Sequence, residues 1–182
     1  KAEDILLLAV SKTKPVELIG EAVQAGCVSL GENKVQEIME KYEPMMEYAP
    51  EGDRIHWHLI GHLQTNKVKY IIDKVSMIHS VDSYKLAAEI NKRAGQHGIV
   101  MDILIQVNSA EEESKFGITT AETEALIKEI LDTCENIRIK GLMCIAPYAD
   151  DPEDIKVYFE DVKKQYDEFG KIDHPMLDFK YL

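Results

Sequence analysis

The feature that most constrains this chain is a repeated alternation. Short apolar runs, each too brief for a helix, are separated by segments whose apolar residues recur at helical spacing, from one end to the other. Residues 5–11 (ILLLAVS) are a continuous apolar run of the kind that fills a strand covered on both faces. A helix is predicted next, with Pro15 at its first position, Val16, Ile19 and Val23 on one face, and Gly26 just past its end. Further strands are predicted at 28–30, 56–60, 77–81, 101–107, 137–145 and 176–182. The helix over 33–46 carries Val35, Ile38, Met39, Tyr42 and Met46 on one face, and a short helix covers 65–72. The helix over 83–94 turns Leu86, Ala87, Ile90 and Ala94 inward. Thr119 and Glu122 have the spacing of a capping box ahead of Leu126, Ile127, Ile130 and Leu131. Asp151 and Pro152 open a last helix, through Phe169, with Ile155, Phe159, Val162 and Tyr166 inward.

Strict β-α alternation implies a parallel sheet with right-handed crossovers. No glycine fingerprint follows the first strand, so the dinucleotide-binding fold lacks support. The expected fold class is α/β, a (β/α)₈ TIM barrel truncated after about seven strands. It is read as one domain over residues 1–182 whose C-terminal part is missing. A chain of 182 residues that is 45% hydrophobic suits one sizeable core. The formal net charge of -12 disfavours nucleic acid, whose phosphates an acidic surface repels. No apolar run approaches the roughly 20 residues needed to span a bilayer, and no signal peptide is visible. Cys27, Cys134 and Cys144 are odd in number and far apart, which suits free thiols in a reducing compartment. A cytoplasmic protein is expected.

In such barrels the chemistry sits at the C-terminal ends of the strands. After strand one comes Ser11-Lys12-Thr13-Lys14-Pro15, and period-two alternation sets Leu6, Leu8, Val10 and Lys12 on one face. Lys12 would then point into the barrel mouth, where apolar walls and the nearby Lys14 favour the neutral amine that an imine-forming lysine needs. The plainer reading is a strand-capping lysine paired with a carboxylate. After strand two, Asn33 is either the helix N-cap or a hydrogen-bond donor to a ligand. Strand three carries His56 and His58 on one face, a conceivable zinc pair, but no matched carboxylate or further histidine set accompanies them beyond His62 and His79, and no metal is expected. Gln64, Asn66 and Lys67 lead a helix whose exposed amides could meet an anion. Lys140 invites comparison with Schiff-base aldolases but lies too early in its strand to reach the mouth. Met143 is nearer the mouth and could pack on a flat ring or simply fill core.

Several segments carry a resemblance: 8–15 (LAVSKTKP), 31–33 (GEN), 57–61 (WHLIG) with 63–67 (LQTNK), 105–108 (IQVN), 113–117 (ESKFG) and 141–143 (GLM). In this order, over nearly the whole chain, they resemble the pyridoxal-phosphate homeostasis family, also called the YggS/PROSC family, whose barrel is similar to the N-terminal domain of alanine racemase. The resemblance implies a pyridoxal 5′-phosphate cofactor held as an aldimine on Lys12, lined by Asn33 and Met143, with His58 and Asn66 nearby. The leading expectation is a non-enzymatic carrier whose partners are the cofactor and pyridoxal-phosphate-dependent apoenzymes, and a monomer is expected because no second domain is available to complete a site across a dimer. The alternative is a racemase-like enzyme acting at an amino-acid Cα. The family usually has a helix before strand one and glycine- and serine-rich phosphate motifs after strand seven. Neither is present, so the 182-residue chain is expected to be a fragment with an incomplete barrel that binds the cofactor poorly.

Overall fold

Seven strands form a single parallel sheet in chain order: β1 (Ala9–Val10), β2 (Ser29–Glu32), β3 (His56–Leu59), β4 (Met77–Val81), β5 (Met101–Val107), β6 (Ile137–Cys144) and β7 (Leu177–Tyr181). The computed structural model describes residues 5–112 and 115–182; residues 1–4, and Glu113 and Ser114 of the 113–117 segment, lie outside the described residues. The connecting helices are α1 (Val16–Gln24), α2 (Val35–Met45), α3 (Val68–Ile71), α4 (Tyr84–His97), α5 (Thr123–Thr133) and α6 (Glu153–Phe169). One-turn 3₁₀ segments at Thr65–Lys67 and Thr120–Glu122 lead into α3 and α5. A parallel neighbour can be reached only by a crossover, and a helix is the crossover that hides its own backbone polar groups.

One side of the sheet packs on the helices. Leu30, Leu59, Ile78, Ile103 and Ile139 join Ile38, Ile71, Ile90 and Ile127 in one buried cluster. Each side chain of this kind contributes roughly 1.5–3 kcal/mol when fully buried. Residues of the other side meet around a cavity of about 510 Å³, lined among others by Leu6, Leu8, Met77, His79, Leu104 and Tyr181. Residues beside the first strand and in the last strand thus border one space, so the sheet curls as the expected barrel does. No pairing joins β1 to β7 among the described residues.

Several local expectations need correction. Strand one was expected over 5–11 and covered on both faces, yet only Ala9–Val10 pairs with β2, and Ile5 and Leu7 are 73% and 76% exposed. Of the face expected to point inward, Leu6 and Leu8 line the cavity, but so does Ile5, whereas Val10 and Lys12 do not, so Lys12 is exposed rather than directed into the barrel mouth. The cover fails too, since β1 stands at one end of the sheet order with β2 as its sole strand neighbour among the described residues. In α2 the buried residues are Val35, Ile38, Lys41 and Met45, while Met39 and Met46 are exposed. Lys41 takes a buried place on this face, where it meets the Glu32 carboxylate of β2. Lys34, not Asn33, is the N-cap of α2, and it makes no side-chain cap bond. Pro15 likewise sits at the N-cap of α1 rather than one residue later. Thr119 gives its hydroxyl to the Glu122 carboxylate, so the reciprocal capping box does not form. In α6 the buried apolar residues are Val162 and Phe169, and Phe159 is largely exposed beside the cavity.

Two glycines set geometry that the site depends on. A Cβ at Gly61 would collide with the carbonyl oxygen and Cα of Asn33, so the segments after β2 and β3 touch backbone to backbone. Gly141 has φ +143°, and a Cβ there would strike the Tyr181 carbonyl, at an irregularity in the β6–β7 register.

Candidate functional site

Lys12 follows β1 in a turn closed by the Lys14 amide on the Ser11 carbonyl at 3.1 Å. Its side chain is exposed. Thr13, next in the turn, has φ +62°. Glycine or asparagine normally takes such a position, and a β-branched residue there costs on the order of 1–3 kcal/mol. Strain of this kind persists only where the surroundings over-determine it, and here they do. The Thr13 amide donates to Glu37 Oε2 at 2.7 Å. The Ser11 hydroxyl donates to Glu32 Oε1 at 2.8 Å. Lys41 Nζ donates to the Ser11 carbonyl at 2.9 Å, to Glu32 Oε1 at 2.6 Å and to Glu37 Oε2 at 2.9 Å.

This network is mostly buried. Glu32 has no exposed surface, and its Oε2 has no hydrogen-bond partner among the described residues. Burial alone would push the Lys41 ammonium down, but the hydrogen bonds and charges of Glu32 and Glu37 outweigh it and hold Lys41 above the usual lysine range. The hydrogen bond from Lys41, then that from the Thr13 amide, hold Glu37 below the usual carboxylate range. Sequence reasoning missed these residues. The available signals were the four-residue spacing of Glu37 and Lys41 and a lysine where the apolar period of α2 wanted a core residue.

The other expected site residues lie towards the same ends of the strands. Asn33 is half-buried in the bend after β2, against Gly61. With Lys34 as the helix cap, no cap bond occupies its amide. Asn66 is exposed in the 3₁₀ turn before α3. Met143 is half-buried in β6 and lines the cavity with His79. His58 is buried in β3, and its Nδ1 lies 2.9 Å from His79 Nε2 of β4. Burial, and then a neighbouring histidine, push His58 down to about 4 and His79 to about 3. Both imidazoles are therefore neutral at pH 7, with one ring donating to the other. His56 turns instead towards Ser76 and Asp53. No group of three or more histidine, cysteine or acidic side chains that could hold a metal occurs among the described residues. Lys140 is buried and paired with Asp178 of β7.

Residues 115–118, after β5, return to this end of the sheet. Ile118 pairs with Val107, and the Gln106 side chain donates to the Phe116 carbonyl at 3.1 Å. The Asn108 amide donates to the Glu112 carbonyl at 2.9 Å. The Phe116 ring is thereby stacked on His62, with centroids 3.9 Å apart. Gln106, Asn108 and Phe116 thus have a visible task in shaping this loop. Lys12, Asn33 and Asn66 sit on loops and do not line the cavity; Met143 and, through its partner ring, His58 belong to it.

The chain's relatives share this arrangement of elements. A family model described as "Alanine racemase, N-terminal domain" matches residues 3–177. The pyridoxal phosphate homeostasis protein of Aquifex aeolicus is 44% identical over 165 residues, covering 91% of this chain and 70% of that protein. PipY of Synechococcus elongatus, solved without PLP, superposes with a TM-score of 0.87 at 31% identity, covering 97% of this chain and 80% of that one. PipY solved with PLP bound gives a TM-score of 0.76 at 28% identity, covering 97% and 79%.

Proposed function

The chain belongs to the alanine racemase N-terminal domain family and, within it, to the pyridoxal phosphate homeostasis proteins, and from that premise we propose that it holds pyridoxal 5′-phosphate covalently through the Lys12 amine, as a carrier rather than a catalyst. The observation that carries the reading is the Lys12 turn. It is an exposed primary amine at the end of β1, on a backbone tied on both sides to α2 and β2. Lys12, Asn33 and Asn66 would hold such a group from their loops, and the cavity of about 510 Å³, which they do not line, adds mainly apolar walls of small-molecule size. Asn33 brings an amide not used as a helix cap, and Met143 and His79 bring a soft thioether and a neutral ring beside the cavity. His58 acts through His79, and Asn66 stands at the next loop.

When bound, the cofactor supplies an electrophilic aldehyde on an electron-withdrawing ring. Turning that into Cα chemistry requires a protein base poised near neutral pH. The imidazoles at the cavity are weak bases, held at about 4 and about 3. This supports retention and release of the cofactor over proton transfer. The relatives' name, homeostasis protein, agrees with that reading. We include in the proposal a monomer in the cytoplasm that delivers the cofactor to pyridoxal-phosphate-dependent apoenzymes. The three free thiols suit a reducing compartment. Among the described residues, no helix is long and apolar enough to cross a membrane.

Borohydride trapping after incubation with pyridoxal 5′-phosphate tests the attachment point. Peptide mapping should find the pyridoxyl group on Lys12, and Lys12→Ala should lose most of it while keeping its far-UV circular dichroism. Label on Lys14 or Lys140 would overturn the assignment. Cα hydrogen exchange of alanine in deuterated buffer, if it ran at ordinary enzymatic rates of roughly 1–1000 per second, would overturn the carrier reading.

A further inference from the structure

Both backbone neighbours of Lys12 are held by charged side chains from two other elements. On one side, the Ser11 carbonyl accepts Lys41 Nζ at 2.9 Å and the Ser11 hydroxyl donates to Glu32 Oε1 at 2.8 Å. On the other, the Thr13 amide donates to Glu37 Oε2 at 2.7 Å. Lys41 also binds Glu32 and Glu37, so the holding groups are tied to one another. From this geometry we infer that Lys41, Glu37 and Glu32 are positioning residues that fix where the Lys12 amine is presented and make Lys12, not Lys14, the attachment point. The inference rests on the proposed covalent role of Lys12.

The arrangement is hard to explain as stabilisation alone. A buried ion pair is often no more stable than apolar side chains of similar volume. Here Glu32 leaves one buried carboxylate oxygen without a partner among the described residues. Thr13 is held at φ +62°, where a β-branched residue is strained. What the network does achieve is register. Glu37 and Lys41 lie four residues apart on α2, and Glu32 ends β2, so the turn is referenced to a helix and a strand rather than to other loops. A reactive amine displaced by an ångström reacts far more slowly, because proximity is the main contribution to such a step. Lys41 is held as an ammonium between the carboxylates of Glu32 and Glu37, so it has no free amine with which to compete as an attachment point.

The test uses the full chain with pyridoxal 5′-phosphate, comparing the unaltered protein with Lys41→Met, Lys41→Arg and Glu37→Ala. The two readouts are the rate at which the coloured adduct appears and the site of the borohydride-trapped label. Lys41→Met should slow adduct formation by about tenfold or more and share the label between Lys12 and Lys14. Glu37→Ala should slow it less, and Lys41→Arg should restore Lys12 as the main site. If Lys41→Met loses its far-UV circular dichroism, Glu37→Ala decides alone, because Glu37 lies nearer the surface than Glu32. Unchanged rate and unchanged label in the folded variants would overturn this inference and leave the attachment reading standing. Label away from Lys12 in the unaltered protein would overturn the attachment reading first, and this inference with it.

Discussion

Thr13 holds a left-handed backbone that its β-branched side chain disfavours. Its contact with the network is made by the backbone amide, not the side chain. Thr13→Asn should therefore keep the hydrogen bond to Glu37 while removing most of the strain, since asparagine tolerates this region. The expected gain is about 0.5–1 kcal/mol, read as a higher urea midpoint with an unchanged slope. A lower midpoint would show that the threonine side chain carries an interaction worth more than the strain. Lys41 makes the complementary point about burial. A lysine is rarely buried unless paired, and two carboxylates and a carbonyl meet this one within 2.6–2.9 Å.

At the scale of elements, the site is built where consecutive β-α loops meet. Gly61 permits the closest of these meetings, with the backbone of Asn33 where its side chain would be. Gly61→Ala should force the loops after β2 and β3 apart. The expected loss is about 1–3 kcal/mol, as for overpacked cores, with a matching fall in melting temperature. An unchanged melting temperature would mean that the two loops separate freely and that their contact does not hold Asn33. Residues 115–118 after β5 are anchored twice, to their own strand through Gln106 and the bridge of Val107 with Ile118, and to the loop after β3 through the stack of Phe116 on His62.

For the whole molecule, the His58–His79 pair makes folding sensitive to mild acid. In the unfolded chain each ring takes up a proton below about 6.5, whereas the folded protein resists until about 4 for His58 and about 3 for His79. Both folded values are depressed, so the stability they confer is full above 6.5 and is lost as pH falls towards 4. Each withheld proton costs about 1.4 kcal/mol per pH unit, which makes the total on the order of a few kcal/mol across that window. Urea titrations at pH 7, 6 and 5 should show this decline, and His79→Asn should flatten it. The titrated range of pH 7 to 5 lies above the ordinary values of 4.5 and 3.8 from which Glu37 and Asp178, both held low, begin to contribute. An equal decline in the variant would show that the histidine pair is not its source.

The order and type of the elements were legible because apolar periodicity is a local property. Strands β4 and β5 fall on the predicted 77–81 and 101–107, and the buried face of α4 is the predicted Leu86, Ala87, Ile90 and Ala94. The segments that carry the resemblance were legible too, since a motif is a string of neighbours. Three-dimensional contacts decided the rest. Whether strand one is covered depends on what lies beside it in the sheet, and whether Lys41 can be buried depends on the Glu32 carboxylate that meets it from β2. His58 and His79 are 21 residues apart and meet only because β3 and β4 are neighbours. The sequence by itself determined that the chain alternates strand and helix around an apolar core and places a lysine just after its first strand. The tertiary structure alone decided that this lysine rides on a strained turn clamped from α2 and β2, because burial and hydrogen bonding between distant residues have no signature in local spacing.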